Sequence, residues 1–276
     1  MRDLKLPDLS ASPEPIARRI SKALRRAIVT MRVTPGEMLS EQEIAQHFSV
    51  SRQPVREAFI KLSEAGLVRV LPQRGTLVVK ISAPAVEDAR FVREAIECAL
   101  ARRAAAAIGA DAALIGELEA QVAAQENAAA ARDAESFFQL DEDFHRSLAA
   151  LAGRPSAWRI VEDVKAQMDR VRFLDMSETQ PMTVVIRQHR AILEALGRGD
   201  ADAAEEAMRV HLSQIEKTLP MLSRRYPDLF EPPQRAADGV TPARGVVLDR
   251  GAGAARRPQR RSDKPIALAP ARRTPG

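Results

Sequence analysis

Residues 39–79 read LSEQEIAQHFSVSRQPVREAFIKLSEAGLVRVLPQRGTLVV, and they contain the strongest structural signal in the chain. The segment 40–43, SEQE, has the form of a capping box, in which the serine caps a helix and the second glutamate reaches back to it. A short helix is therefore predicted, ending in a break at 49–50. Ser51 can cap the next helix, and Pro54 is tolerated in its first turn.

The segments on either side of these two helices complete a recognisable order. Apolar residues at helical spacing over 16–31 predict a preceding helix, which 34–36, TPG, would end. Gly66 ends the third helix. Residues 67–71 and 76–81 are typical of two short strands joined by a tight turn. Helix, helix, break, helix and hairpin is the order of a winged helix-turn-helix.

The chain beyond residue 84 has a helical pattern. We predict helices at roughly 85–107, 112–131, 134–152, 156–174, 182–197 and 201–224. Their lengths and short connections suit an antiparallel bundle. The predicted fold class is mainly α: an N-terminal winged helix-turn-helix with an α/β wing, followed by an all-α antiparallel helical bundle.

Length and composition suggest how the chain is divided, because 276 residues suit two domains. We expect the following segments: 1–13, a flexible N-terminus; 14–81, the winged helix-turn-helix; 84–226, an all-helical effector-binding and dimerisation domain; and 231–276, a disordered basic tail rich in Gly, Pro, Ala and Arg.

Charge is distributed unevenly along the chain. Residues 1–80 hold 14 Lys or Arg and 8 Asp or Glu, whereas residues 81–230 hold 18 and 25. A basic block before an acidic body suggests that one end meets a polyanion, although basic residues can also be merely solvated.

The composition also indicates a cytoplasmic protein without membrane contact. No apolar run approaches the roughly 20 residues that span a bilayer, and the first 20 residues lack the apolar segment of a secretion signal. Cys98 is the single cysteine, so an internal disulfide is impossible.

The stretch 39–79 resembles the GntR, or gluconate-repressor-type, winged-helix domain over its whole length. The most specific pieces, in order, are 35–36, PG; 39–41, LSE; 50–58, VSRQPVREA; 66–68, GLV; and 74–75, RG. The resemblance implies binding to double-stranded DNA. The residues assigned to that contact are Ser40, Gln42, Ser51, Arg52, Gln53, Arg56, Arg74 and Gly75.

Physical chemistry agrees with this assignment for the two arginines. The N-terminal end of such a recognition helix meets base edges in the major groove, and Arg52 and Arg56 lie one turn apart. Gln53 stands where the family more often has threonine. Arg56 could instead pair with Glu57 or Glu64. A single recognition helix reads a half-site, so we expect a homodimer on a two-fold symmetric operator.

Four side chains in the helical part point to a metal. Asp141 and His145 share one helix face, while His189 and His211 align with the apolar faces of two later helices. Buried polar groups need partners, and a divalent cation satisfies one carboxylate and three imidazoles together. Each histidine taken alone could equally be a satisfied core residue.

The same residues carry a second resemblance, over about 84–224, to the metal-binding effector (FCD) domain of the FadR-type GntR subfamily. That domain has Asp-x-x-x-His followed by two later histidines, which here are Asp141, His145, His189 and His211. The resemblance implies zinc, with nickel or manganese as alternatives, and a small organic acid as effector. Arg93 lies on an apolar face, where it could hold the effector's carboxylate or form a structural salt bridge with a helix-borne glutamate.

Two other functions compete with a metal-containing sensor. A metalloenzyme could use the same residues, but HExxH, G-x-S-x-G and Gly-rich phosphate-binding motifs are missing from the sequence, so we predict no enzyme activity. A metal-free sensor of an acyl thioester is the other alternative, and the three histidines argue against it.

Overall fold

The N-terminal region of the computed structural model folds as three helices and a small sheet. The structure describes residues 12–108, 112–178 and 182–232, together with Leu6, Pro7 and Leu9. The helices are α1, Ile16–Val29; α2, Glu41–His47; and α3, Arg52–Glu64. Ser40 caps α2 by accepting a hydrogen bond from the Glu43 amide at 3.4 Å. The predicted order of helices is confirmed.

The sheet has three antiparallel strands in the order β1-β3-β2: β1, Met38–Leu39; β2, Val68–Leu71; and β3, Gly75–Val78. The hairpin was predicted, although β3 ends three residues before the predicted strand did. The two-residue β1 is too short to show a periodic pattern. Its partners are Leu77 and Thr76 of β3. Gly75 has φ of 111°, a backbone conformation that favours glycine at the tip of the wing.

The rest of the described chain is helical, which confirms the mainly α fold class. The helices are α4, Ala83–Ile108; α5, Ala112–Ala130; α6, Ala134–Leu151; α7, Pro155–Val164; α8, Ala166–Glu178; α9, Met182–Gly197; α10, Ala201–Leu212; and α11, Gln214–Arg225. One turn of 3-10 helix follows at Pro227–Leu229.

Two of the predicted helices are each divided in the structure. The predicted helix 156–174 is α7 and α8, separated at Lys165, and the predicted helix 201–224 is α10 and α11, separated at Ser213. Lys165 and Ser213 keep nearly helical dihedral angles, with ψ of 0° and −13°. Neither break contains glycine or proline. The helical spacing of apolar residues in the sequence therefore continues through both positions.

Buried apolar residues form three clusters. One lies within the helical bundle, and another lies inside the winged helix, where Leu6 and Leu9 also pack. Ala166 of α8 belongs to this winged-helix cluster although it lies 88 residues beyond β3. The third cluster joins α8 and α11 to the start of α4, where Ile81 forms a parallel bridge with Phe230. Thus α8 is shared between the two parts of the fold.

Most of the predicted tail, 233–276, lies outside the described residues, as does most of 1–13. Among the helices that the structure describes, none combines the length and the apolar character needed to cross a membrane.

Candidate functional site

The N-terminal end of α3 presents the two predicted base-reading arginines. The side chains of Arg52 and Arg56 are 57% and 54% exposed. Both contact the same atom, Oε2 of Glu41, which accepts from Arg52 Nη2 at 2.8 Å and from Arg56 Nε at 2.9 Å. The considered pairing of Arg56 with Glu57 or Glu64 is therefore not the one present. Glu57 instead accepts from Gln53 Nε2 at 3.1 Å.

The remaining residues assigned to DNA lie around this end of the winged helix. Gln42 is exposed on α2, and Arg74 is exposed at the wing turn beside Gly75. Ser51 occupies the cap position of α3, but its side chain accepts no capping hydrogen bond there. Ser40 is engaged in capping α2. A direct role for these residues at DNA stays a prediction.

The four predicted metal ligands meet inside the helical bundle. Asp141, His145, His189 and His211 are all buried, and one ligand atom from each lies within 4.8 Å of the others. Helix α6 supplies the first two, α9 the third and α10 the fourth. His189 Nε2 lies 3.7 Å from Asp141 Oδ1, and His145 Nε2 lies 3.2 Å from His211 Nε2. Ligands on a tetrahedral zinc lie about 3.3 Å apart, so the cluster has about the right size.

Oxygen atoms lie beside the opposite nitrogen of each imidazole. His145 Nδ1 lies 2.5 Å from Glu97 Oε2, His189 Nδ1 lies 2.7 Å from Gln125 Oε1, and His211 Nδ1 lies 3.0 Å from Gln188 Oε1. The amide of Gln125 is itself oriented, because its Nε2 donates to the Leu140 carbonyl at 3.2 Å. For His189 and His211 these partners place the ring proton on Nδ1 and leave Nε2 as a lone-pair donor toward a metal. The contact of His145 Nδ1 with Glu97 is close but does not have hydrogen-bond geometry.

The arrangement of these four side chains is better explained by a bound cation than by a core without a metal. The Nε2 atoms of His145 and His211 face each other at 3.2 Å. Asp141 Oδ1 and His189 Nε2 are buried and have no hydrogen-bond partner among the described residues. Orphaned buried acceptors are costly, and a single divalent ion would satisfy all four atoms.

Electrostatics keeps three of the four candidate ligands, Asp141, His189 and His211, in the form that binds metal. Burial lowers the pKa of His189 to about 3, and burial together with the neighbouring His189 lowers the pKa of His211 well below its ordinary value. Burial opposes ionisation of Asp141, but the charge of Arg172 outweighs it and holds the pKa of that carboxyl below its usual range. Near neutral pH these residues are neutral imidazoles and a carboxylate, as metal binding requires.

Arg93 is buried and bonded to Glu97, one turn along α4. It donates from Nε to Glu97 Oε1 and from Nη2 to Glu97 Oε2, the second bond being 3.2 Å long. The considered salt bridge to a helix-borne glutamate is therefore present, and the glutamate belongs to the same helix. Because Glu97 also contacts His145, Arg93 supports a candidate ligand through it. Arg93 also lines a neighbouring cavity, so its contact with an effector stays a prediction.

A cavity of about 50 Å³ adjoins the cluster, with Asp141 and His211 in its wall. Arg90, Arg93 and Arg172 also line it, which makes this wall rich in cations. Arg172 belongs to α8 and was missed by the sequence analysis. It donates to Asp141 Oδ2, to Glu142 at 2.6 Å and to Asp169 at 3.2 Å.

A winged helix-turn-helix joined to a helical bundle with a buried ligand-type site defines a class of protein, the transcriptional regulators with a separate sensory region. Residues 16–78 match the family described as bacterial regulatory proteins, gntR family, and residues 88–214 match the FCD domain.

Individual relatives agree with these two matches. The chain is 42% identical over 217 residues to the HTH-type transcriptional repressor RspR of Escherichia coli (strain K12), covering 79% of this chain and 94% of that one. It is 38% identical to an uncharacterized HTH-type transcriptional regulator of Streptomyces ambofaciens, covering 77% and 89%. The solved structure of E. coli McbR/YncC has the same fold, with a TM-score of 0.66 at 16% identity over 77% of this chain and 99% of that one.

The chain belongs to the gntR family of bacterial regulatory proteins and carries an FCD domain. Both predicted resemblances are confirmed. Since the family and these relatives are transcriptional regulators, the chain is a regulator of transcription and not an enzyme.

Proposed function

We propose that the chain binds a two-fold symmetric operator as a homodimer, and that a small carboxylate bound beside a divalent metal controls this binding. Asp141, His145, His189 and His211 would hold the ion, zinc or alternatively nickel or manganese. When bound, the ion would supply a Lewis-acidic contact for a carboxylate oxygen. The observation that carries the proposal is the convergence of these four buried ligand atoms beside a cavity lined by arginines.

The surrounding ion pairs favour an anionic effector. Two separate groups of ion pairs lie here, and each is balanced: Arg93 pairs with Glu97, while Arg25, Lys165 and Arg172 pair with Asp141, Glu142 and Asp169. Both groups are balanced before any metal is added. Even with Asp175, which also lines the cavity, a divalent ion would leave surplus positive charge in a buried place. A carboxylate ligand offsets that charge.

Helix α8 gives the site a route to the DNA-binding region. Arg172 of α8 contacts Asp141 at the candidate metal centre and also contacts Asp169. Asp169 in turn pairs with Arg25 of α1 at 3.3 Å. A ligand that shifts Asp141 or Arg172 would therefore bias how α8 meets the winged helix, and such a shift requires different affinities for the two arrangements.

The homodimer is supported by exposed apolar side chains on the helical bundle. Phe91 of α4 is 69% exposed, and Val210 is 48% exposed on α10, a helix that packs along α4. An exposed apolar patch formed by neighbouring side chains, unlike a single exposed one, is typical of an association surface. We therefore expect most of the dimer interface on the helical region.

Metal analysis of the purified full-length chain tests the proposed site. We expect stoichiometric metal in the wild type and its loss in His211→Ala, because that change removes one of four ligands. His47→Ala is the matched control, since His47 is the remaining histidine of the chain and lies on α2. His47→Ala should retain the metal and the thermal stability of the wild type.

Thermal-shift measurements with small mono-, di- and hydroxycarboxylates test the effector class, each acid beside its neutral amide. We expect an acid, and not its amide, to raise the melting temperature of the metal-loaded wild type and to leave His211→Ala unchanged. Wild-type protein without stoichiometric metal, together with a normal response to acids in His211→Ala, would show that the shared site is wrong.

A further inference from the structure

Glu41 occupies an unusual place for an acidic residue on a surface that would meet DNA. It begins α2, and its side chain is only 25% exposed between those of Arg52 and Arg56. A single oxygen, Oε2, accepts a hydrogen bond from each guanidinium, at 2.8 Å and 2.9 Å. The residue thus links α2 to the first turn of α3 at the point where bases would be read.

The geometry leaves the reading edges of the arginines available. Arg56 is held through Nε, so both of its terminal amino groups remain for an acceptor on DNA. Arg52 is held through Nη2 alone. An arginine fork recognises guanine through paired donors, which requires a fixed orientation of the guanidinium plane.

Orienting the two side chains in advance has a physical benefit. A free arginine side chain has considerable rotamer entropy, and part of it is lost when the side chain docks on a base. Contacts that hold the side chain in its base-binding orientation in the unbound protein reduce the entropy lost on binding. Since both guanidiniums share one carboxylate oxygen, their mutual position is fixed as well as their individual orientation.

The Glu41 carboxylate would also lower the affinity for DNA, so its effect on specificity can be distinguished from its effect on affinity. A negative charge close to the DNA backbone weakens binding to any sequence, because phosphate contacts supply most of the non-specific affinity. A residue kept for affinity alone would not be acidic. We infer that Glu41 is a positioning residue for operator specificity, which sets the orientation of Arg52 and Arg56 and lowers affinity for unrelated DNA.

This inference rests on the proposed DNA-reading role of α3, and the test keeps the two apart. Duplexes would be selected from a random pool with the full-length wild-type protein, and the best duplex compared with a scrambled duplex of equal composition. Affinities of the wild type, Glu41→Gln and Glu64→Gln would be measured for both duplexes. Glu64 is the matched control, because it is an exposed acid at the far end of α3.

We expect Glu41→Gln to reduce the ratio of selected to scrambled affinity about tenfold, while affinity for the scrambled duplex rises. Glu64→Gln changes net charge equally and should leave the ratio unchanged. Thermal unfolding of Glu41→Gln within a few degrees of wild type would show that the effect is not one of folding. Glu41→Asp, which keeps the charge on a shorter side chain, should recover part of the ratio.

Two results would overturn the positioning role. One is a ratio within twofold of wild type in Glu41→Gln, even if both affinities rise, because Glu41 would then only mask the arginines. The other is an equal fall in both affinities, which indicates a structural role. If Arg52→Ala and Arg56→Ala also leave the ratio unchanged, the DNA-reading assignment of α3 fails as well, and the two failures are thereby distinguished.

Discussion

At the scale of single residues, Arg52 and Arg56 carry the prediction that is most directly testable. Both are exposed at the N-terminal end of α3, where a recognition helix meets base edges. We expect Arg52→Ala and Arg56→Ala each to weaken binding to the selected duplex by about 1–3 kcal/mol and to relax specificity at one base position. Fluorescence anisotropy at fixed salt measures both quantities.

Lys61→Ala provides the control for this experiment. Lys61 is an exposed cation in the last turn of the same helix. Its loss should weaken binding to all sequences similarly, or not at all. Unchanged operator affinity in both arginine variants would contradict the assignment of α3 as the reading helix.

Residue types and spacing were enough to predict the metal-type cluster but not the partners of its imidazoles. Histidine is rare in this chain, and three of the four lie on apolar helix faces, so their convergence could be predicted. Glu97, Gln125 and Gln188 come from three helices, and their pairing depends on how those helices are turned toward each other. Gln125 was the available signal, since it shares a helix face with Leu118 and Val122, and a buried amide needs a partner.

Glu41 illustrates the same limit for the DNA-reading surface. The pattern SEQE correctly predicted a cap, and the structure shows the half in which Ser40 accepts from Glu43. The contact of Glu41 with Arg52 and Arg56 spans two helices and a loop, 11 and 15 residues apart in sequence. Such separation is outside the reach of helical spacing rules.

At the scale of elements, α8 is where the proposed ligand site and the winged helix meet. Arg25 of α1 donates from Nη2 to the Glu162 carbonyl at 2.9 Å and contacts Asp169. We expect Arg25→Met to preserve metal content and basal operator affinity, since it leaves the ligands and α3 in place. It should reduce the change in operator affinity that the carboxylate effector produces, measured by anisotropy with and without that effector.

Lys22→Met is the comparison within the same helix. Lys22 is exposed on α1 and pairs with Glu14, away from α8. The effector response of Lys22→Met should equal that of wild type. A full response in Arg25→Met would exclude this ion pair from the coupling.

The predicted helix boundaries agree with the structure where a capping residue marks the start of a helix. The starts of α6 and α10 follow Asp133 and Asp200, whose side chains accept from the backbone amides of Ser136 and Ala203. The breaks at Lys165 and Ser213 lack such residues. After these breaks α8 and α11 pack against the start of α4, a tertiary contact that helical spacing does not predict.

At the scale of the whole molecule, the exposed Phe91 predicts how two copies associate. We expect Phe91→Glu to yield a monomer at micromolar concentration, because a charge on the proposed interface carries a desolvation cost. Sedimentation velocity measures the state directly. Ile160→Glu is the control, since Ile160 is 55% exposed on α7 and belongs to neither α4 nor α10, the helices of the proposed face. If the Phe91→Glu variant remained a dimer, the interface would not include the surface around Phe91.

The place of Ala166 in the winged-helix core bears on how such proteins can be rearranged by recombination. Gln167 donates to the Gly66 carbonyl, and Arg170 donates to the Val79 carbonyl at 2.9 Å, so α8 also binds polar groups just before β2 and just after β3, at the open end of the hairpin. A cut between the two family segments would therefore expose apolar surface on the DNA-binding half and remove two hydrogen bonds to its backbone. We therefore expect that the gntR segment and the FCD segment cannot be exchanged freely between relatives. A working chimera must inherit the start of α8 with its own winged helix, and the intact chain should melt in one calorimetric transition rather than two.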